Sequence, residues 1–224
     1  MMTNLFSIFD PTTSVLMLPM NWLSSFISLI ILPYTFWLIP SRINMMWIQL
    51  TNFINKELKI LINKNALGSN IIFTTIFIFI MINNFMGLFP YIFTSSSHMS
   101  MTLSLSLPLW MSLMIFGWMK FYSNMFAHMV PMGTPPILMP FMVMIESISN
   151  LIRPGTLAIR LAANMIAGHL LITLISSTGP SSSTILISLM ILAQMLLLTL
   201  ESAVAIIQAY VFSVLSTLYS SEIK

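Results

Sequence analysis

Two apolar stretches close to the C-terminus limit the possible folds more than any other part of the sequence. They cover residues 140–177 and 184–219. As an α-helix, each would be longer than about 50 Å at about 1.5 Å per residue, whereas the hydrocarbon core of a bilayer is about 30 Å thick. Each helix must therefore tilt steeply or be broken. Pro154 and Gly155 are a candidate break in the first, and residues 177–183 are expected to turn the chain back into a hairpin.

The composition excludes a water-soluble protein. The residues are 58% hydrophobic and only 6% charged, whereas soluble domains carry roughly a quarter charged residues. The chain has no cysteine and no GxxxxGK[ST] sequence, which excludes disulfides, thiolate metal sites and that kind of phosphate-binding loop. We therefore expect no cofactor, no metal, and no direct binding of nucleotide or nucleic acid.

The hydrophobic pattern predicts an all-α integral membrane protein. About three ordinary transmembrane helices are expected, at residues 20–39, 71–89 and 101–119; Pro33 interrupts the first, which membrane helices tolerate. The expected organisation is a single membrane domain, 1–224, in four parts: an N-terminal segment with the first span (1–42), an amphipathic surface helix (43–65), a helical hairpin (70–120), and the hairpin of two long, strongly tilted helices (137–221). No internal repeat is found, which argues against a self-contained secondary transporter.

Charge placement predicts the orientation. Residues 43–61 have apolar side chains at helical spacing and polar ones on the other sides, which indicates an amphipathic helix on the membrane surface; a helix that binds a soluble partner is the alternative. Five basic residues lie in or near this segment or after the third span: Arg42, Lys56, Lys59, Lys64 and Lys120. By the positive-inside rule, the N-terminus then lies across the membrane from them.

The N-terminus has neither a transit-peptide nor a secretory pattern, which favours insertion from inside an organelle. The 22 methionines are typical of organelle-encoded proteins whose genetic code reads an extra codon as Met.

Several polar residues outside the last two helices have structural interpretations. Asn83 and Asn84 interrupt the second span, where hydrogen bonds between helices are expected. His98 lies in the Ser-rich turn 94–100, and His128 lies in the expected loop 121–136. Each is interpreted as a solvated or interfacial histidine, because no second ligand lies at metal-binding spacing.

Ionisable residues inside the first long helix are the main chemical signal, because charges in a membrane are costly and usually mark ion pathways. On a helical wheel, one face collects residues within about 40° of Arg160: Glu146, Arg153, Asn164 and Ala167. Glu146 and Arg153 keep this phase only if Pro154 leaves the helix straight. His169 lies on the opposite side, about 13 Å further along, so the pattern indicates two separate sites.

The last helix carries a second set of polar residues. Three of them recur every seven positions on one face: Gln194, Glu201 and Gln208. Beside them lie three small residues that would pack on a neighbouring helix or on a partner: Ala205, Ala209 and Ser213. A structural salt bridge from Glu201 to His169 or Arg160 is the alternative, but buried ion pairs barely repay their desolvation.

The stretch RLAANMIAGHLL, residues 160–171, resembles the most diagnostic segment of the a subunit of rotary ATP synthases, mitochondrial type. The stretches NNFMGLFPYIFTSSSH, FAHMVPMGTPPILMPFMVMIES, LIRPGTLAIRL and LESAVAIIQAYVFSVLSTLY are similar to the same subunit, in its usual order. The resemblance implies a multi-pass protein of the mitochondrial inner membrane, with its N-terminus on the intermembrane-space side. Its implied partners are a ring of small proteolipid subunits (the c-ring), other stator subunits of the Fo membrane sector, and lipid.

The resemblance also implies residue roles. Arg160 corresponds to the family's essential arginine, which faces a ring carboxylate and blocks a direct leak, because an arginine keeps its charge. Asn164 and Gln208 correspond to polar residues near that arginine. His169 and Glu201 correspond to the pair that conducts protons on the intermembrane-space side, as a histidine that titrates near neutral pH would allow.

On the matrix side, Glu146 corresponds to an acid on the exit path and Arg153 to a second basic position. Bacterial members usually show an acid where this chain has His169 and a histidine where it has Glu201, which suggests that these two side chains meet.

The implied function is that of the proton-translocating stator subunit, in which two offset half-channels couple proton flow to ring rotation and ATP synthesis. A sodium-coupled version of the same subunit is one alternative, although His169 and Glu201 favour protons. The other is a non-transporting scaffold subunit of a respiratory membrane complex. The scaffold alternative predicts that Arg160 can be replaced without loss of flux.

Overall fold

The computed structural model describes residues 5–12, 18–62, 69–130, 135, 137–179 and 183–222, and the regular structure in these ranges is helical. Seven α-helices occur there: α1 (Ser24–Ile31), α2 (Arg42–Leu61), α3 (Ser69–Gly87), α4 (Met99–Lys120), α5 (Tyr122–Met129), α6 (Met139–Thr178) and α7 (Thr184–Glu222). Short 3₁₀ helices cover Leu5–Phe9, Met20–Leu23 and Ser95–Ser97. Four helices, α3, α4, α6 and α7, are long and apolar enough to cross a membrane. The all-α integral membrane class is therefore confirmed.

The first predicted span is shorter than expected. Residues 20–39 were expected to form one helix through Pro33, but α1 ends at Ile31 and Leu32 is extended, with φ −61° and ψ 122°. A proline disfavours the helical conformation in the residue before it, which explains this end point. The expectation of a continuous helix here is wrong, and only the apolar helical segment Met20–Ile31 remains.

The expected loop 121–136 also differs from the structure, because it contains α5. Apolar residues at helical spacing, Tyr122, Met125, Phe126 and Met129, give this segment an amphipathic pattern. The helix-breaking residues Gly133, Pro135 and Pro136 all come after this segment, so they do not prevent α5 from forming. Residues 131–134 and 136 lie outside the described part of the chain, as do Lys64 and most of the turn between the long helices.

The helix α2 begins at an N-cap, where the Ser41 hydroxyl accepts a hydrogen bond from the backbone N–H of Asn44 at 3.4 Å. Its Ile54 and Leu58 are buried against the bundle, while Ile43 and Phe53 are exposed. The buried core joins α2 to α3, α6 and α7. This packing holds α2 against the membrane-spanning helices.

The helix α6 runs without interruption for 40 residues and includes Pro154. Of the two alternatives that its length allowed, a steep tilt or a break, the helix therefore shows no break at Pro154. A proline removes one backbone hydrogen bond, and its neighbours in a membrane bundle compensate for the loss; Pro154 is itself buried. Because α6 stays whole, its length of about 60 Å must be accommodated by tilt.

The two ends of the bundle carry different parts of the chain. At one end, the turn between α3 and α4 packs against α6, and a Cβ at Gly87 would lie 2.8 Å from Thr94 and 3.4 Å from Met165. At the other end, Asn70 near the start of α3 donates to Asn55 of α2. The C-terminal half of α6 therefore belongs to the end with the α3–α4 turn.

The structure tests the interpretations of two polar residues, Asn84 and His98. The side chain of Asn84 is fully buried, but no hydrogen bond to it occurs within the described ranges, so the expected interhelical bond is not found. His98 packs against the rings of Trp22 and Phe93 at 5.3 and 5.2 Å between centroids, and its Nε2 is buried. The residue as a whole is half-buried, which fits an interfacial histidine better than a fully solvated one.

Candidate functional site

Arg160 lies midway along α6, on the face that points away from the other helices. Its side chain is exposed, as are Ala163 and Ala167 on the same face. The opposite face is buried, with Ala158 and Ala162 at 0% and 3% exposure. No carboxylate pairs with Arg160 among the residues that the structure describes. The arginine is therefore positioned for a partner outside this chain.

His169 and Glu201 come together between α6 and α7. Their Nε2 and Oε1 atoms are 3.6 Å apart, and their side chains are 14% and 6% exposed. Neither these two atoms nor Oε2 of Glu201 has a hydrogen-bond partner within the described residues. Because His169 is opposite Arg160 on the helix, this pair is a second site, separated from Arg160 by about 13 Å along α6.

The close approach of Glu201 to α6 requires a glycine at position 168. A Cβ on Gly168 would lie 2.5 Å from Oε1 and 2.7 Å from Cδ of Glu201. Real side chains do not tolerate such distances, so any other residue here would displace the carboxyl group. Gly155 in the same helix has no atom within 4 Å of its Cβ position. Of these two glycines, only Gly168 lies against a side chain of a neighbouring helix.

Glu146 and Arg153 form a third group in the N-terminal half of α6. The two side chains make an ion pair at 3.7 Å and are about one-third exposed. The guanidinium of Arg153 also lies over the ring of Tyr219 from α7, 4.9 Å from its centroid. A cation over an aromatic face is favoured electrostatically, so Tyr219 helps to fix Arg153 beside Glu146.

A cavity of about 730 Å³ opens beside this group. Glu146, Asn150 and Arg153 line it from α6, and Trp118 and His128 line it from α4 and α5. His128 is exposed, as the solvated-histidine interpretation predicts. Trp118 lies two residues before Lys120, so the cavity is close to the end of α4 that carries this lysine.

Asn164 and Gln208 form no hydrogen bond with Arg160 among the residues that the structure describes. Asn164 is half-buried and Gln208 is 7% exposed. Gln194 on α7 is half-buried. Any role of these amides at Arg160 therefore remains a prediction.

The three small residues that lie beside the polar face of α7 are buried inside the bundle. Ala205, Ala209 and Ser213 are 0–1% exposed, and α7 packs extensively against α3. Of the two alternatives that the sequence left open, packing on a neighbouring helix of the same chain is the one observed.

Sequence reasoning missed Gly168, Tyr219 and Phe9, whose ring lies 6.3 Å from that of His169. Gly168 is adjacent to His169, and a glycine inside a helix can signal close packing. No pattern in the sequence indicates the other two, because their contacts join segments far apart in the chain.

A bundle with four potential spans, two separated groups of ionisable side chains and an exposed arginine between them defines an ion-translocating membrane protein. A family model described as "ATP synthase A chain" matches residues 14–221. The chain belongs to the ATP synthase subunit a family. It is 61% identical to the ATP synthase subunit a of Locusta migratoria and 60% identical to that of Aedes aegypti, covering 100% of each chain. The corresponding protein of Drosophila melanogaster is 59% identical, also over 100% of both chains.

Proposed function

We propose that this chain guides protons to and from the c-ring through two half-channels, with His169 and Glu201 in one and Glu146 and Arg153 in the other. Membership of the family makes it a proton-translocating stator subunit of the Fo sector, in the mitochondrial inner membrane. The finer assignment of residues to each half-channel is the proposal.

The observation that supports this proposal best is the position of Arg160. It is exposed on α6 between two ionisable groups that lie toward opposite ends of the bundle. The distances along the helix are about 21 Å to Glu146 and about 13 Å to His169. Arg160 forms no ion pair within the described residues, and a cation without a partner in a span is costly. A ring carboxylate that passes Arg160 would supply that partner.

This geometry supports the following mechanism. A proton that reaches the His169–Glu201 pair passes to a ring carboxylate, which becomes neutral and can enter the lipid. After almost a full turn, the carboxylate releases its proton toward Glu146 and the adjacent cavity. Arg160 then favours the ionised carboxylate and, because it cannot donate its own proton, blocks a direct path between the half-channels. Each proton is driven by about 2.3 kcal/mol per 100 mV.

We further propose that the N-terminus faces the intermembrane space and that the chain is organelle-encoded. The orientation is supported by Lys56, Lys59 and Lys120, which lie at the end of the bundle near Glu146, whereas Leu5–Phe9 lies at the His169 end. The genetic origin is supported by the 22 methionines. Glu146 then faces the matrix.

Cross-linking tests the proposed ring-facing surface. The chain has no cysteine, so a single introduced thiol is unambiguous. We expect Ala167→Cys to form a disulfide with a cysteine placed near the ionisable carboxylate of the ring helix, because Ala167 shares the exposed face with Arg160. Disulfides need Cα atoms within about 7 Å, so the reaction reports direct contact.

Ala162→Cys is the matched control, because Ala162 lies on the same helix but is 3% exposed on the opposite face. It is expected to give no product. Equal cross-linking at both positions, or cross-linking at position 162 alone, would show that the Arg160 face does not meet the ring.

A further inference from the structure

The N-terminal 3₁₀ helix Leu5–Phe9 packs against α6, although neither proposed half-channel includes a residue from it. Phe9, its last residue, presents its ring edge-on to the ring of His169. The two centroids are 6.3 Å apart and the planes meet at 83°. This is one of the favoured geometries for a pair of rings, so the contact is specific rather than incidental.

The segment that carries Phe9 is anchored to its surroundings. The Asn21 side-chain amide donates to the carbonyl oxygen of Asp10 at 3.2 Å. The backbone N–H and the hydroxyl of Thr12 donate to Oδ1 of Asp10 at 3.0 and 2.8 Å. These two hydrogen bonds lower the pKa of the Asp10 carboxyl group, because they stabilise its ionised form.

A second set of contacts anchors the next segment to the bundle. The hydroxyl of Ser24 donates to the carbonyl oxygen of Phe93 at 2.9 Å, and the Trp22 ring packs on the rings of Phe93 and His98. The turn that contains these residues packs on α6. The position of Phe9 is therefore determined by a continuous set of contacts that leads back to the helix of His169.

His169 needs such a contact to keep its orientation. Its Nε2 lies 3.6 Å from Glu201, beyond hydrogen-bond distance, and has no other hydrogen-bond partner among the described residues. Within the described residues, no hydrogen bond therefore fixes this side of the imidazole toward the carboxyl group. Ring packing can do so, because it restricts the rotamers that the side chain can adopt.

We propose that Phe9 is a positioning residue of the proton inlet: its ring holds the His169 imidazole toward Glu201. This inference rests on the proposed function of the His169–Glu201 pair. Phe9 does not touch the ring carboxylate or transfer a proton, so its effect acts through His169.

The test is the rate of ATP synthesis by the assembled complex in sealed vesicles, measured against the proton concentration on the inlet side. We expect Phe9→Ala to lower the rate of ATP synthesis about fivefold where the proton concentration is limiting. A fivefold change is the effect expected from losing the interaction of one aromatic pair. The deficit should shrink at saturating proton concentration. Phe9→Tyr keeps the ring and should restore the wild-type rate.

Phe6→Ala is the matched control, because Phe6 lies in the same 3₁₀ helix with 65% of its surface exposed, and it should behave as wild type. A deficit of the same size at every proton concentration, or no rescue by tyrosine, would show that Phe9 only supports folding. If Phe9→Ala fails to assemble, Asn21→Ala loosens the same segment and is expected to give the concentration-dependent deficit; a wild-type rate would overturn the inference.

His169→Ala is measured in the same series, because it distinguishes a failure of the positioning role from a failure of the proposed function of the His169–Glu201 pair. If His169→Ala blocks synthesis while Phe9→Ala is normal, only the positioning role is wrong. If His169→Ala is normal as well, the proposed function of the pair is wrong.

Discussion

Replacing Arg160 by alanine is expected to leave the complex assembled and to lower coupled ATP synthesis by at least about 100-fold, the effect that removing a preorganised electrostatic group has in enzymes. Assembly should survive because Arg160 is exposed on α6 and forms no ion pair within the described residues. Its loss therefore leaves no buried charge unpaired in this chain. Synthesis should fail because the ring carboxylate loses the cation that favours its ionised form.

The measurement combines synthesis driven by a pH gradient, passive proton conductance, and a native gel to quantify the assembled complex. Arg160→Lys is expected to recover little activity, because a lysine lacks the planar donor geometry and can lose its proton when buried. Thr156→Ala is the matched control, an exposed and uncharged position one turn earlier on the same face. Normal synthesis in Arg160→Ala would support the scaffold alternative, in which the charges are structural.

A methyl group at position 168 is expected to lower ATP synthesis by about tenfold or more, because small displacements at a reacting group can cost up to about 100-fold. The Cβ of Gly168→Ala would lie 2.5 Å from Oε1 of Glu201. The carboxyl group must then move, and its present 3.6 Å separation from His169 is lost. The substitution is small and lies inside a helix, where alanine is favoured over glycine, so assembly should be unaffected.

Gly155→Ala provides the control for this variant, because its Cβ position has no neighbour within 4 Å and the same gain in helix propensity applies. Combining Gly168→Ala with Glu201→Asp, which shortens the acid by one methylene, should recover part of the rate. If Gly168→Ala and Gly155→Ala both support normal synthesis, the position of the Glu201 carboxyl group does not matter for transport.

Much of the fold could be predicted because long apolar runs leave few alternatives in a membrane. The two long helices and the hairpin before them have observed bounds within a few residues of the predicted ones. The differences lie in the expected loop 121–136, which contains α5, and at two prolines. Pro33 ends a helix that was expected to continue, whereas α6 continues through Pro154, where a break was one of two alternatives. The local effect of proline is the same in both, and packing by neighbouring helices decides the outcome, which a sequence pattern does not show.

Some features of the candidate site could also be predicted from the sequence, and others could not. The helical period alone predicts that Arg160 and His169 lie on opposite faces of α6, and they do so in the structure. The meeting of His169 with Glu201 was suggested by resemblance and is observed at 3.6 Å. The contacts of Tyr219 with Arg153 and of Phe9 with His169 could not be predicted, because each depends on how distant segments pack.

The most direct test of two half-channels is the side from which water-soluble reagents reach each one. Because the chain has no cysteine, Thr173→Cys, one turn beyond His169, and Ser147→Cys, in the cavity beside Glu146, can each be labelled with a membrane-impermeant thiol reagent. We expect position 173 to react only from the intermembrane space and position 147 only from the matrix. Reaction of both positions from the same side, or of neither from any side, would contradict two half-channels separated by Arg160.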